Sequence, residues 1–138
     1  MKEIIFETQE NIKTIILSEI KFDYSGYSDS VTFKIKVNHE IYCAETILEA
    51  EEYDFIRLKE DLTAMYNLKQ KYAFFRPIDN YLQINFSLLE TGIIEVKIEL
   101  NNPLFTGKLL VEFNSDVSFL PKIIASLEDV LSNNKVKL

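Results

Sequence analysis

The chain reads as α+β: mainly antiparallel sheet, about eight strands, with two amphipathic helices in the order strands, helix, strands, helix. Three observations carry this. Val31, Phe33, Ile35 and Val37 alternate with Thr32, Lys34 and Lys36, the period of a strand with one wet face, and other stretches repeat it. Two segments instead repeat apolar residues at steps of three and four, the spacing of a helix with one apolar stripe. Runs of strands followed by single helices, without regular strand–helix alternation, favour antiparallel pairing with helices on one face. A strand-rich chain of this kind can also curl into two packed sheets.

The elements follow in order. Residues 2–8 place Ile4 and Phe6 on one face of a strand. Residues 12–23 switch phase: Ile15 and Leu17 share one face, Ile20 and Phe22 the other, with Ser18 and Glu19 between them. A bulge at Ser18-Glu19 returns both pairs to the core. Residues 23–30, with Tyr24-Ser25-Gly26-Tyr27, form a turn cluster. The strand at 31–37 follows, then a tight turn at Asn38-His39 and a strand over about 40–47. The first helix covers about 50–69, with Phe55, Leu58, Leu62, Met65 and Tyr66 on one face. Glu51, Glu52 and Asp54 crowd its first turn, where carboxylates complement the positive helix end. Thr46 to Glu49 also matches a capping box, although Tyr42 to Ile47 read better as strand.

The second half repeats the order. Tyr72, Phe74 and Phe75 form a short strand stopped by Pro77. Strands at 82–88 and 94–100 flank the Thr91-Gly92 turn, a loop spans 101–103, and a further strand covers 108–113. Pro121 lacks an N–H and fits only a helix's first turn. Ser118 as N-cap puts it at the third helical position. Phe119, Leu120, Ile123, Ile124, Leu127, Val130 and Leu131 form the stripe; Ser132 to Asn134 end the helix and residues 135–138 fray. The 138 residues fit one domain, 1–138, in which two halves, 1–70 and 71–134, repeat the same order.

Composition narrows the function. Hydrophobic residues make up 47%, with ten Phe and seven Tyr, so the core is large and aromatic. The formal charge of −7 repels phosphate backbones and speaks against nucleic acid as a direct partner. It favours solubility and attracts basic partners. A single cysteine, Cys43, forms no internal disulfide, which points to a reducing compartment. The first residues lack a signal-peptide pattern and no apolar run approaches a bilayer span, so the expected place is the cytoplasm, away from membranes.

The catalytic inventory is thin. His39, the single histidine, reads as a surface turn residue. With Cys43 it would share a strand face roughly 13 Å apart, too far for a hydrogen bond, and Cys43 reads as a buried or half-buried thiol. One His and one Cys do not fill a zinc site. Glu51-Glu52, Glu60-Asp61 and Glu128-Asp129 are adjacent on helices and diverge. The three glycines stand alone, and no phosphate-loop or dinucleotide motif occurs. The expectation is a non-enzymatic binding protein without metal or cofactor.

Two features fit a partner surface. Glu45, Glu49, Glu51, Glu52 and Asp54 gather around the strand-to-helix junction. The plainer reading is helix-dipole complementation and solubility; the functional one is a docking patch for a basic protein. Tyr24 and Tyr27, with Tyr42 near them in sequence, are residue types favoured at interfaces, against a plainer reading as half-buried loop residues.

The succession from Tyr53 to Leu131 adds a resemblance. It runs Phe55-x-x-Leu58, Leu62, Ala73-Phe74, Leu82-x-Ile84-x-Phe86 and Gly92-x-Ile94-x-Val96. It closes with Leu110-x-Glu112-Phe113, Asp116-x-Ser118-Phe119-Leu120 and Leu127-x-x-Val130-Leu131. This resembles the WapI-like immunity proteins over somewhat more than half of the chain. The resemblance implies a cytoplasmic, non-catalytic protein that binds and blocks a bacterial toxin domain, often a nuclease. It carries over no interface residues. A small-ligand carrier with a cavity between sheet and helices, and a scaffold that self-associates through a strand edge, are the competing readings.

Overall fold

In a computed structural model, which describes residues 2–23, 30–102 and 106–135, alternation of side chains becomes two separate four-stranded sheets. The first contains β1 (Ile4–Glu7), β2 (Lys13–Asp23), β3 (Ser30–His39) and β4 (Tyr42–Glu51), in that spatial order. Helix α1 (Glu52–Tyr66) follows. The second sheet contains β5 (Tyr72–Phe75), β6 (Leu82–Leu88), β7 (Ile93–Asn101) and β8 (Lys108–Asp116), again in sequence order. A 3-10 turn over Val117–Phe119 leads into α2 (Leu120–Lys135). Every neighbouring pair is antiparallel. The second of the two arrangements open to the sequence is therefore the one adopted. Of the end expected to fray over 135–138, Lys135 is instead the last residue of α2, and residues 136–138 lie outside the described residues.

The apolar faces of both sheets meet in one cluster of buried residues, which the helices complete with Phe55, Leu58, Leu62 and Met65 from α1 and Leu120, Ile123, Leu127, Val130 and Leu131 from α2. Aromatic rings tie the layers together. Phe55 lies 5.7 Å from Phe33 of β3, 5.0 Å from Phe75 of β5 and 6.3 Å from Phe22 of β2. Phe6 of β1 meets Phe86 of β6 at 5.3 Å. Such offset or edge-on pairs each add about 0.5–1.5 kcal/mol beyond their buried area. α1 packs on α2 and β5, and α2 on β1.

The phase switch in β2 is resolved by a bulge. Pairing with β3 shifts between Ser18 and Lys21, and Glu19 adopts φ +49. Ile15 and Leu17 are fully buried, and Ile20 and Phe22 pack against the same core.

Four local expectations are corrected. The turn after β3 is Glu40-Ile41, with His39 the last residue of β3. β4 runs to Glu51, past the expected end at 47, so no helix is capped by Thr46; instead Asp54 accepts a hydrogen bond from the Glu51 backbone N–H at 2.9 Å. The cap before α2 is Asp116: its carboxylate accepts from the Ser118 N–H at 2.9 Å and from the Ser118 hydroxyl at 2.5 Å. A carboxylate outcompetes a hydroxyl as acceptor there. Pro121 is the second residue of α2, still within the opening turns. α2 extends through Lys135, beyond the expected end at 132–134.

Candidate functional site

The register of β4 sorts the acidic residues. Val31, Phe33, Ile35 and Val37 of β3 pair with Ala50, Leu48, Thr46 and Ala44, which face the second sheet. By alternation, Cys43, Glu45, Ile47, Glu49 and Glu51 stand in a row on the outer face, roughly 7 Å between successive members. β4 is the last strand of its sheet. Glu52 and Asp54 continue the negative charge into the first turn of α1. The structure thus brings Glu45, Glu49 and Glu51 into line along one sheet edge and leads that line into a helix start.

The five carboxylates differ in what they touch. Lys34 Nζ lies 3.0 Å from Glu45 Oε1 and 3.4 Å from Glu19 Oε2, the bulge residue. Its ammonium is raised above the ordinary lysine value, first by the Glu45 hydrogen bond and then by that to Glu19. Asp54, the third residue of α1, accepts from the Glu51 N–H that precedes the helix, and its second oxygen lies 4.0 Å from Arg57 Nη2. The Arg57 guanidinium sits 5.6 Å from the Tyr53 ring centre. Glu49 and Glu51 are exposed.

Two residues of this surface escaped the sequence reading. Ile47 is 70% exposed in the middle of the acidic row, and Tyr53 is 61% exposed just beyond its end. Period-two spacing from Glu45 to Glu49 was the available signal for Ile47. Tyr24 and Tyr27 lie outside the described residues. Tyr42 is exposed at the start of β4.

The pairing His39↔Tyr42 and Asn38↔Cys43 puts His39 and Cys43 on opposite faces of the sheet. The expected shared face assumed one continuous strand; the turn at Glu40-Ile41 reverses the parity. Cys43 is exposed, correcting its expected burial. Among the described residues no group of His, Cys, Asp or Glu is arranged to hold a metal, and no helix is long and apolar enough to cross a membrane. Ala44–Thr46 of β4, with Leu100–Asn102 and Gly107–Leu109, line an open cleft of about 300 Å³. A second open cleft, about 560 Å³, lies between the β1–β2 loop, the β3–β4 turn and Glu112–Asn114. The chemistry on offer at β4 is an edge of backbone groups, a row of carboxylates and exposed apolar side chains.

The model of the family described as "Immunity protein WapI-like family" matches residues 6–134. No curated protein matches the chain. Among solved structures, it is similar to one described as crystal structures of Trypanosoma brucei MRP1/MRP2, at 9% identity and TM-score 0.47, covering 96% of this chain and 84% of that one. It is also similar to the plant transcriptional regulator PBF-2, at 10% identity and TM-score 0.43, covering 86% of this chain and 76% of that one. At these values neither similarity informs function.

Proposed function

Because the chain belongs to the WapI-like immunity protein family, we propose that it neutralises a cognate bacterial toxin domain in the cytoplasm by binding and occluding it, without chemistry of its own. The observation that carries this reading is the family match over nearly the whole chain. The acidic edge supplies the means: Glu45, Glu49 and Glu51 on β4, with Glu52 and Asp54 at the start of α1, face a basic surface. Carboxylates so placed take the positions of substrate phosphates if the toxin is a nuclease, and they steer encounter by charge. Ile47, in the middle of the row, provides the apolar anchor that long-lived complexes need, with Tyr53 at the end of the row as a second contact. Tyr24 and Tyr27 belong to the same proposal as further contact residues.

The test is protection. Cells making a candidate toxin domain should grow only when this chain is co-produced, and the two should co-migrate on gel filtration. Glu45→Lys with Glu49→Lys should weaken the complex at least tenfold, whereas Glu95→Lys with Glu112→Lys, an equal charge change on the second sheet, should leave it within about threefold. Equal loss from both pairs would dismiss the β4 surface. A chain that protects against no toxin encoded beside it, and forms no complex, would dismiss the function.

A further inference from the structure

We propose that the partner binds by adding an extended strand to the free edge of β4, so that recognition runs through backbone hydrogen bonds as well as charge. This rests on the reading of β4 as the toxin-facing surface. The two-residue turn at Glu40-Ile41 makes His39 and Tyr42 a hydrogen-bonded pair. Such pairs alternate along an antiparallel ladder. The pairs Val37↔Ala44, Ile35↔Thr46, Phe33↔Leu48 and Val31↔Ala50 are therefore the hydrogen-bonded ones. Cys43, Glu45, Ile47 and Glu49 turn their N–H and C=O groups the other way, toward the edge, whereas the Glu51 N–H is taken by the Asp54 carboxylate. Among the described residues β4 pairs only with β3. The residues that offer free backbone groups thus include Glu45, Ile47 and Glu49, the centre of the acidic row.

The side chains determine what the added strand must be. On the outer face it meets Glu45, Ile47, Glu49 and Glu51, so it carries basic residues at every second position with an apolar one opposite Ile47. On the inner face β4 offers Ala44 and Thr46, only half-buried where their β3 partners Val37 and Ile35 are fully buried. The cleft of about 300 Å³ opens beside them. The inward residues of the added strand are therefore apolar. A second copy of this chain is disfavoured as occupant. Antiparallel self-pairing centred on Ile47 sets Glu45 opposite Glu49 and Cys43 opposite Glu51, and directly opposed like charges are destabilising. The row closes the edge to its own copies and leaves it open to a basic strand.

A capped ten-residue peptide alternating Lys and Val, with Val in place of the one Lys that falls opposite Ile47, is the probe, read by hydrogen–deuterium exchange and titration on the full chain. The expected result is exchange at least tenfold slower at the amides of Glu45, Ile47 and Glu49, with Ala44, Thr46 and Leu48 little changed. A Glu-Val peptide should not bind, and neither should a Lys-Val peptide N-methylated along one edge. Ile47→Pro removes an outward N–H while sparing the β3 ladder, and should abolish binding; its circular dichroism reports whether the fold survives. No Lys-Val binding, equal binding of the N-methylated peptide, or concentration-dependent protection of these amides without peptide would each overturn strand addition. So would Ile47→Pro protecting cells from a toxin as well as the unaltered chain, an outcome that leaves neutralisation itself standing. An unaltered chain that protects against nothing removes the underlying reading.

Discussion

The two sheets share strand number, order and helix placement but differ in continuity. In the second sheet every ladder runs in unbroken register from Tyr72 to Asp116. In the first, the register breaks between Phe6 and Glu7 and again between Ser18 and Lys21. The cause is local. Alternation in β6 and β7 never changes phase, whereas β2 must deliver Ile15, Leu17, Ile20 and Phe22 to one core. The bulge that achieves this gives Glu19 a left-handed backbone and sends its carboxylate to Lys34. Lys34 in turn holds Glu45 of the edge strand. The irregular sheet is therefore the one whose outer face is organised by ion pairs reaching the proposed binding edge. The regular sheet carries simpler cross-strand pairs, Lys97 with Glu112 and Lys108 with Glu99.

The sharpest way to break this contrast is to ask whether the halves stand apart energetically. Phe55 is fully buried in α1 and touches rings from both sheets. Phe55→Ala should cost about 3–5 kcal/mol. If the two halves form one domain, as we propose, urea unfolding followed by circular dichroism and tyrosine fluorescence should give one coincident transition before and after the substitution. Separate transitions would divide the chain at 70/71.

Next in size is the turn of the regular sheet. Gly92 has φ +84, and a Cβ there would lie 3.4 Å from Val117 Cγ1. Gly92→Ala should destabilise by about 1–2 kcal/mol, the cost of a left-handed non-glycine residue. The same denaturation experiment measures it. No loss would mean that the Gly92 turn relaxes more freely than the bulge at Glu19.

The smallest effect concerns how the second half enters its helix. Asp116→Ala should cost about 1 kcal/mol near neutral pH, the usual worth of a cap. The Ser118 hydroxyl, and then the Ser118 N–H, hold the Asp116 carboxyl below its ordinary value of 3.8. A lowered carboxyl contributes fully above its unfolded value and loses that contribution as pH falls through the folded one. The difference between unaltered chain and variant should therefore narrow below pH 3.8. A difference constant down to pH 2 would assign the effect to packing.

Much of the fold was legible because burial follows alternation residue by residue. The bulge at Ser18-Glu19 was readable for the same reason: a phase switch in an otherwise regular strand has few other solutions. The cap at Asp116 was not, since Asp116 and Ser118 are both good capping residues two positions apart and geometry alone chooses. Of the candidate site, the acidic cluster was visible as composition, but its division between strand and helix moved with the end of β4. Ile47 went unnoticed because an isolated apolar residue in a strand reads as core until its register is known.

By itself the sequence determined which residues turn inward within each strand and helix, because side-chain direction follows from a repeat of two or 3.6 residues and involves only near neighbours. The tertiary structure alone decided the split into two sheets, the exposure of β4 at an edge, and the pairing of Glu45 with Lys34. It also decided the separation of His39 from Cys43 across a turn. Those outcomes depend on which strands meet and in what register, which a repeat within one element does not specify; the buried rings of Phe6, Phe33, Phe55, Phe75 and Phe86, contributed by both halves of the chain, meet only once that pairing is made.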